Sequence, residues 1–211
     1  MPNGPLSLPA RLYLLSWDPA SGESGAPAHL VRAGALTELA QRGLLVDDDG
    51  IATPADLDFG TGDAALDGLL ELVRESLPHH WRAWVSLHAR VTLDAVREQL
   101  AADGYLRAGK RRVLGLFPSV DYTLERTRAV DALREEARRV LTGPVPAGDV
   151  PERDAALVTL AAAAELRTLA SPEERARHKE RLTGLAGRSG PRQAIEGVLT
   201  ALSSQAAPTG A

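Results

Sequence analysis

Residues 35–54 read ALTELAQRGLLVDDDGIATP, and residues 58–73 read DFGTGDAALDGLLELV. In the first stretch Leu36, Leu39 and Ala40 share one face of a helix, Arg42 sits on its last turn, and Gly43 is placed to cap it. The chain then reverses: Leu44, Leu45 and Val46 read as a short strand, residues 47–50 as its turn, and Ile51 with Ala52 as the return. In the second stretch Thr61 and Gly62 lead into Asp63, a natural N-cap for an amphipathic helix carrying Leu66, Leu69, Leu70 and Val73. Helix, tight hairpin, helix is the unit from which the rest of the chain is read.

Extended outward, the same periodicity predicts helices over 7–16, 27–42, 63–76, 80–88, 91–103, 124–142, 152–169, 172–186 and 191–203. The fold class is therefore all-α: a helical bundle core wrapped by amphipathic helices, with a second and longer hairpin at 105–118 projecting from it. That hairpin follows QLAADGYL at 99–106, which echoes ELAQRGLL at 38–45, since both are helix ends capped by glycine and entering a hairpin. Loops are expected at 19–25, 53–62 and 142–150, where proline and glycine cannot continue a helix. One domain spans residues 6–203, with residues 1–5 flexible and 204–211 a disordered tail.

Composition bounds the function. With 24 basic and 28 acidic residues the net charge is −4, so no global positive field draws the chain to nucleic acid or to an anionic membrane, and any such binding must be local. The 44% hydrophobic content with only 4% aromatic implies a core of Leu, Ala and Val. No cysteine is present, which excludes disulfides, thiolate chemistry and Cys-based zinc sites and suits a cytoplasmic setting. The longest apolar run, 155–164, is far short of the ~20 residues that span a bilayer. The N-terminus MPNGP lacks the positive charge of a signal sequence. Lysine occurs only at Lys110 and Lys179, an arginine and alanine bias expected of a high-GC bacterial genome.

Behind the opening helix LSLPARLYLLSWD at 6–18, the two quoted stretches resemble the Golgi phosphoprotein 3 family of peripheral membrane proteins that bind phosphatidylinositol 4-phosphate. The resemblance is carried by Leu6, Leu8 and residues 12–15, then by Glu38, Leu39, Ala40, Arg42, Gly43 and Leu45, then by Thr61, Gly62, Asp63, Leu66 and Asp67. The hairpin RRVLGLFP at 111–118 and the helix RDAALVTLAAAAEL at 153–166 also fit. The likeness covers residues 6–203 in family order.

The resemblance implies a lipid headgroup site. Arg32 matches the family position on the second helix that contacts the phosphate, and Arg90 stands where the family places a second basic cluster. One helical turn after Arg90, where the family has another arginine, the chain has Leu93, but Arg97 follows two turns on, on roughly the same face. The family's loop tryptophan is replaced by the sequence PASGESGAP, with Glu23 there. Trp81 is the candidate substitute aromatic, although Trp81 and Trp84 at i and i+3 also read as core. Arginine suits the role because its fork of donors matches phosphate geometry.

The tip of the second hairpin places Lys110, Arg111 and Arg112 beside Leu114, Leu116 and Phe117, a mixture of cation and apolar surface suited to an anionic membrane interface. The resemblance implies that this hairpin also supports self-association, which would give a homo-oligomer through it. The equally weighted reading is a hairpin packed on its own domain with a solvated tip. Residues 47–49 lack calcium-loop spacing, the 60–63 turn is too short for a nucleotide loop, and the five histidines show no zinc-ligand pattern. No catalytic signature appears, so no enzyme activity, cofactor or metal is expected. The expected function is peripheral binding of anionic phospholipid or phosphoinositide headgroups at a membrane surface from the cytoplasm, phosphatidylinositol 4-phosphate among them. Two alternatives stay open: a winged-helix-like DNA-binding regulator, built from the helix and hairpin at 35–52, and an interaction scaffold that has lost lipid binding.

Overall fold

The computed structural model describes residues 6–55, 60–113 and 117–206. Three helices open the order of elements: α1 (Leu8–Leu15), α2 (Ala28–Gln41) after the two-residue strands β1 (Trp17–Asp18) and β2 (Glu23–Ser24), and α3 (Ala64–Glu75) after β3 (Leu45–Asp48) and β4 (Ile51–Pro54). Then come α4 (Trp81–Ser86), α5 (Ala89–Ala102), β5 (Leu106–Val113), β6 (Phe117–Leu124) and α6 (Thr127–Thr142). The chain closes with α7 (Glu152–Ala163), α8 (Pro172–Arg177), α9 (Lys179–Ala186) and α10 (Arg192–Ala206). Each pair of consecutive strands forms its own antiparallel two-stranded sheet, so the described residues are mainly helical, as expected.

Helix α2 occupies the centre, touching α1, α3, α4, α5, α7 and α10. Every residue from Leu30 to Ala40 is buried, which is why its sequence lacks the polar face of a surface helix. Small residues permit this crowding. A Cβ on Gly34 would stand 2.5 Å from Leu12 Cδ1 and 3.2 Å from Pro9 Cα, so glycine lets α1 lie directly on α2. Leu8, Leu12, Leu15, Leu30, Leu36 and Leu39 fill the contact, each worth roughly 1.5–3 kcal/mol when fully buried. One charged residue is built into the same seam: Glu38 accepts from the Leu8 backbone N–H and from Arg42 Nη2, both at 2.5 Å.

The quoted turns form as read. Gly43 takes φ +69°, with Gly43 N donating to Ala40 O and Leu44 N to Leu39 O, which satisfies the last carbonyls of α2. Asp63 caps α3 by accepting from Ala65 N and Leu66 N, and its other oxygen accepts from Gln99 of α5. Asp67 reaches back to accept from both the backbone N–H and the hydroxyl of Thr61. The 60–63 turn is thus a doubly held helix start.

Four boundaries differ from expectation. The helix expected over 152–169 ends at Ala163, because Glu165 adopts φ 54° and Leu166 N closes on Ala161 O. The turn that follows buries Leu166, Leu169 and Ala170 and lets Thr168 donate to Leu15 O, contacts that a continuing helix would forgo. The expected 172–186 helix breaks at His178 into α8 and α9. Extended backbone runs to Leu124, so α6 begins at Thr127 rather than 124 and the second hairpin is longer than its apolar strand suggested. Residues 204–206, expected in the tail, continue α10, and 207–211 lie outside the described residues. The 19–25 loop also carries the small β1–β2 hairpin, which pairs Trp17 with Ser24.

Candidate anion-binding site

The side chain of Arg32 leaves α2 inside the protein and ends at the start of α5. It is fully buried, and its Nη2 donates to the His88 carbonyl at 2.6 Å. Its Nε and Nη1 meet no acceptor among the described residues. Burial pulls the guanidinium down from its ordinary value to about 10. His88 itself, the residue before α5, is held at φ 51°, ψ 28°, a left-handed conformation unusual for a side chain of its size, and no side chain caps the helix there. A long helix beginning uncapped over a buried cation concentrates positive potential at one point.

Arg90 is the second residue of α5, and it is exposed, followed by the exposed Val91. The structure therefore brings Arg32 and Arg90 to the same helix end, with the buried arginine hydrogen-bonded two residues before the exposed one. The sequence model of the Golgi phosphoprotein 3 family matches residues 8–203. The chain belongs to the Golgi phosphoprotein 3 family. No curated protein matches the chain significantly.

The other sequence-derived candidates of this Golgi phosphoprotein 3 family member are dispersed. Arg97, two turns along α5, lies 5.6 Å from the ring centroid of Tyr13 and 5.7 Å from that of Tyr122, with Asp94 at 3.4 Å. It faces a separate cleft of about 350 Å³ that Trp17, Glu23 and Ser24 also line. Trp81 is 1% exposed, and its indole donates to Asp47 Oδ1 at 2.6 Å. It packs in the core against the β3–β4 turn and leaves almost no surface for a headgroup. The aromatic setting of Arg97 was not visible in the sequence, because Tyr13, Arg97 and Tyr122 come from α1, α5 and β6 and no local spacing links them.

Leu114 and Leu116 lie outside the described residues, as do the side chains of Lys110, Arg111, Arg112 and Phe117. The backbone register of their hairpin is defined: Lys110 opposes Val120, Arg111 opposes Ser119 and Arg112 opposes Pro118. At its base Leu106 is buried and Tyr122 and Leu124 pack on the core, whereas Arg107, Ala108 and Gly109 are exposed, so the ribbon leaves the domain soon after it starts. Among the described residues no group of acidic or histidine side chains is arranged to hold a metal, and no helix is long and apolar enough to cross a membrane. His79 packs edge-on against Trp84 at 5.3 Å, and the His80 ring nitrogen Nδ1 lies 3.1 Å from Gly50 O, which accounts for that pair structurally.

Proposed function

We propose that this member of the Golgi phosphoprotein 3 family binds anionic lipid headgroups, phosphatidylinositol 4-phosphate among them, at the N-terminal end of α5, and so associates peripherally with a membrane surface. The observation that carries the reading is the buried Arg32 guanidinium with two unpartnered nitrogens and no carboxylate beside it among the described residues. A buried cation left without a counter-ion is costly, and an incoming phosphate supplies one. Arg90 provides the exposed first contact, the open helix start adds its dipole, and the phosphate reaches Arg32 by displacing the His88 carbonyl.

The hairpin supplies the second membrane contact in this reading. Lys110, Arg111 and Arg112 follow one another on β5, and basic residues near an anionic surface contribute about 1 kcal/mol each. The DNA reading has less to stand on, because the helix ahead of the first hairpin is α2, whose residues from Leu30 to Ala40 are all buried and give no face to a groove.

Co-sedimentation with vesicles tests the proposal. Arg32→Met and Arg90→Ala each weaken binding to vesicles carrying phosphatidylinositol 4-phosphate about tenfold to a hundredfold, the range for lost hydrogen bonds to a charged group, while Arg175→Ala leaves it unchanged. Equal binding by the wild type and both pocket variants means that the chain keeps the fold without the lipid site.

A further inference from the structure

We propose that the cleft between α6 and the turn after α7 is a second anion site, which takes a soluble phosphorylated polyol. The cleft holds about 610 Å³, the size of a small-molecule pocket. It is separate from the start of α5 and shares no lining residue with Arg32 or Arg90.

Three arginines face it, in a chain whose net charge is −4. Arg134 is fixed as part of the wall: Nη2 donates to Trp17 O at 2.8 Å and Nη1 to Asp131 at 3.0 Å. Arg138, one turn further along α6, makes a single long bond from Nε to Leu169 O at 3.4 Å, which leaves both terminal nitrogens for a ligand. Arg167 is exposed, with no hydrogen-bond or ion-pair partner among the described residues. Two free forks beside a fixed third are the donor set that phosphate recognition uses, and without an anion these like charges repel.

Two carboxylates on the same cleft define what the phosphate is attached to. Asp18 uses Oδ1 to accept from Ala20 N, and its second oxygen has no partner among the described residues. Glu165, at its left-handed φ of 54°, lies 3.9 Å from Arg175 and is otherwise exposed. Carboxylates repel a bare phosphate but accept hydrogen bonds from hydroxyl groups. A ligand with phosphate at one end and hydroxyls at the other satisfies both sets, and Pro19, Pro27 and Leu166 give its carbon skeleton an apolar floor.

Titration calorimetry on the full chain with glucose 6-phosphate, inorganic phosphate and glucose tests this. Glucose 6-phosphate binds saturably, inorganic phosphate at least about tenfold more weakly, and glucose not at all, a tenfold difference being about 1.4 kcal/mol. Arg138→Gln with Arg167→Gln removes at least about tenfold in affinity, and Arg167→Gln alone, which breaks no hydrogen bond or ion pair among the described residues, weakens binding without altering the fold. Asp18→Asn erases the preference for the sugar ester over inorganic phosphate. Binding of phosphatidylinositol 4-phosphate vesicles is unchanged in the cleft variants. The proposal is overturned by absence of saturation up to about 10 mM, by full binding in the double arginine variant, by loss of glucose 6-phosphate binding in Arg90→Ala, or by cleft variants that lose vesicle binding alone, which would make the ligand a lipid headgroup.

Discussion

Arg32 and His88 are joined by one hydrogen bond, 2.6 Å from Nη2 to the backbone carbonyl, across the junction of α2 and α5, and among the described residues no carboxylate answers the arginine's charge. Replacing such a buried ion by an apolar side chain of similar length is often neutral or stabilising by about 1–4 kcal/mol. Arg32→Met is therefore expected to unfold at equal or higher denaturant concentration while losing headgroup binding. The sign of the pH dependence follows from burial, which lowers the folded-state pKa from its unfolded value to about 10. Between those values the unfolded chain holds more protons, so wild-type stability from this group rises with pH there. The advantage of Arg32→Met is full below the folded pKa of about 10 and narrows above it. A variant markedly less stable than the wild type would make Arg32 a structural tie.

Two glycines on helices are expected to respond oppositely to alanine. At Gly34 the added methyl meets Leu12 and Pro9 in the α1–α2 seam, and overpacking of this kind costs typically about 1–3 kcal/mol. At Gly68 on α3 nothing lies within 4 Å, so alanine gains helix propensity, about 0.5–1 kcal/mol. Urea midpoints of the two variants, measured against the wild type, check the pair. A Gly34→Ala protein of undiminished stability would show that α1 shifts freely on α2.

Much of this architecture was legible because local chemistry and tertiary packing agree. Gly43 and Gly104 mark helix ends that need left-handed backbone, and Asp63 is the cap its position announced. The stop at Ala163 was not legible: its reason is the burial of Leu166 and Leu169 and the bond from Thr168 to Leu15, 153 residues away in the chain. The site divides in the same way. Family resemblance located Arg32 and Arg90, but Arg32 is held by His88, 56 residues later in the chain and just ahead of α5. Trp81 was offered as a headgroup aromatic, and its partner Asp47 lies in the hairpin turn, a pairing that no spacing rule links. The α6 cleft was not legible either, because Arg134 and Arg138 meet Arg167 and Asp18 only through the tertiary fold.

His29, in the first turn of α2, is partly buried, and desolvation lowers its pKa from 6.5. The folded chain resists protonation there, so its stability falls as pH drops through 6.5 toward the lower folded value and is constant below that. His29→Gln removes a titrating group from a helix N-terminus, where an imidazolium is also disfavoured by the dipole. The variant is expected to match the wild type in melting temperature at neutral pH and to exceed it in mildly acidic buffer. Parallel curves for the two proteins across that range would assign the acid sensitivity elsewhere.

The left-handed backbone of His88 makes the last prediction, because Arg32 binds its carbonyl and not its imidazole. A non-glycine residue in this conformation costs roughly 1–2 kcal/mol, part of which glycine recovers before its own loss of chain entropy. His88→Gly is therefore expected to gain up to about 1 kcal/mol over His88→Ala, and both should retain headgroup binding, since both keep the backbone at the start of α5, where the phosphate docks, in place. Proline fixes φ near −65° and cannot hold φ 51°, so His88→Pro reshapes the start of α5 and displaces Arg90 and the open helix N–H groups from their place over Arg32. That variant should lose vesicle binding while far-ultraviolet circular dichroism shows the helices intact. Loss of binding in His88→Ala at unchanged helicity would mean that the imidazole itself contacts the lipid, and the site would then have to be redrawn around it.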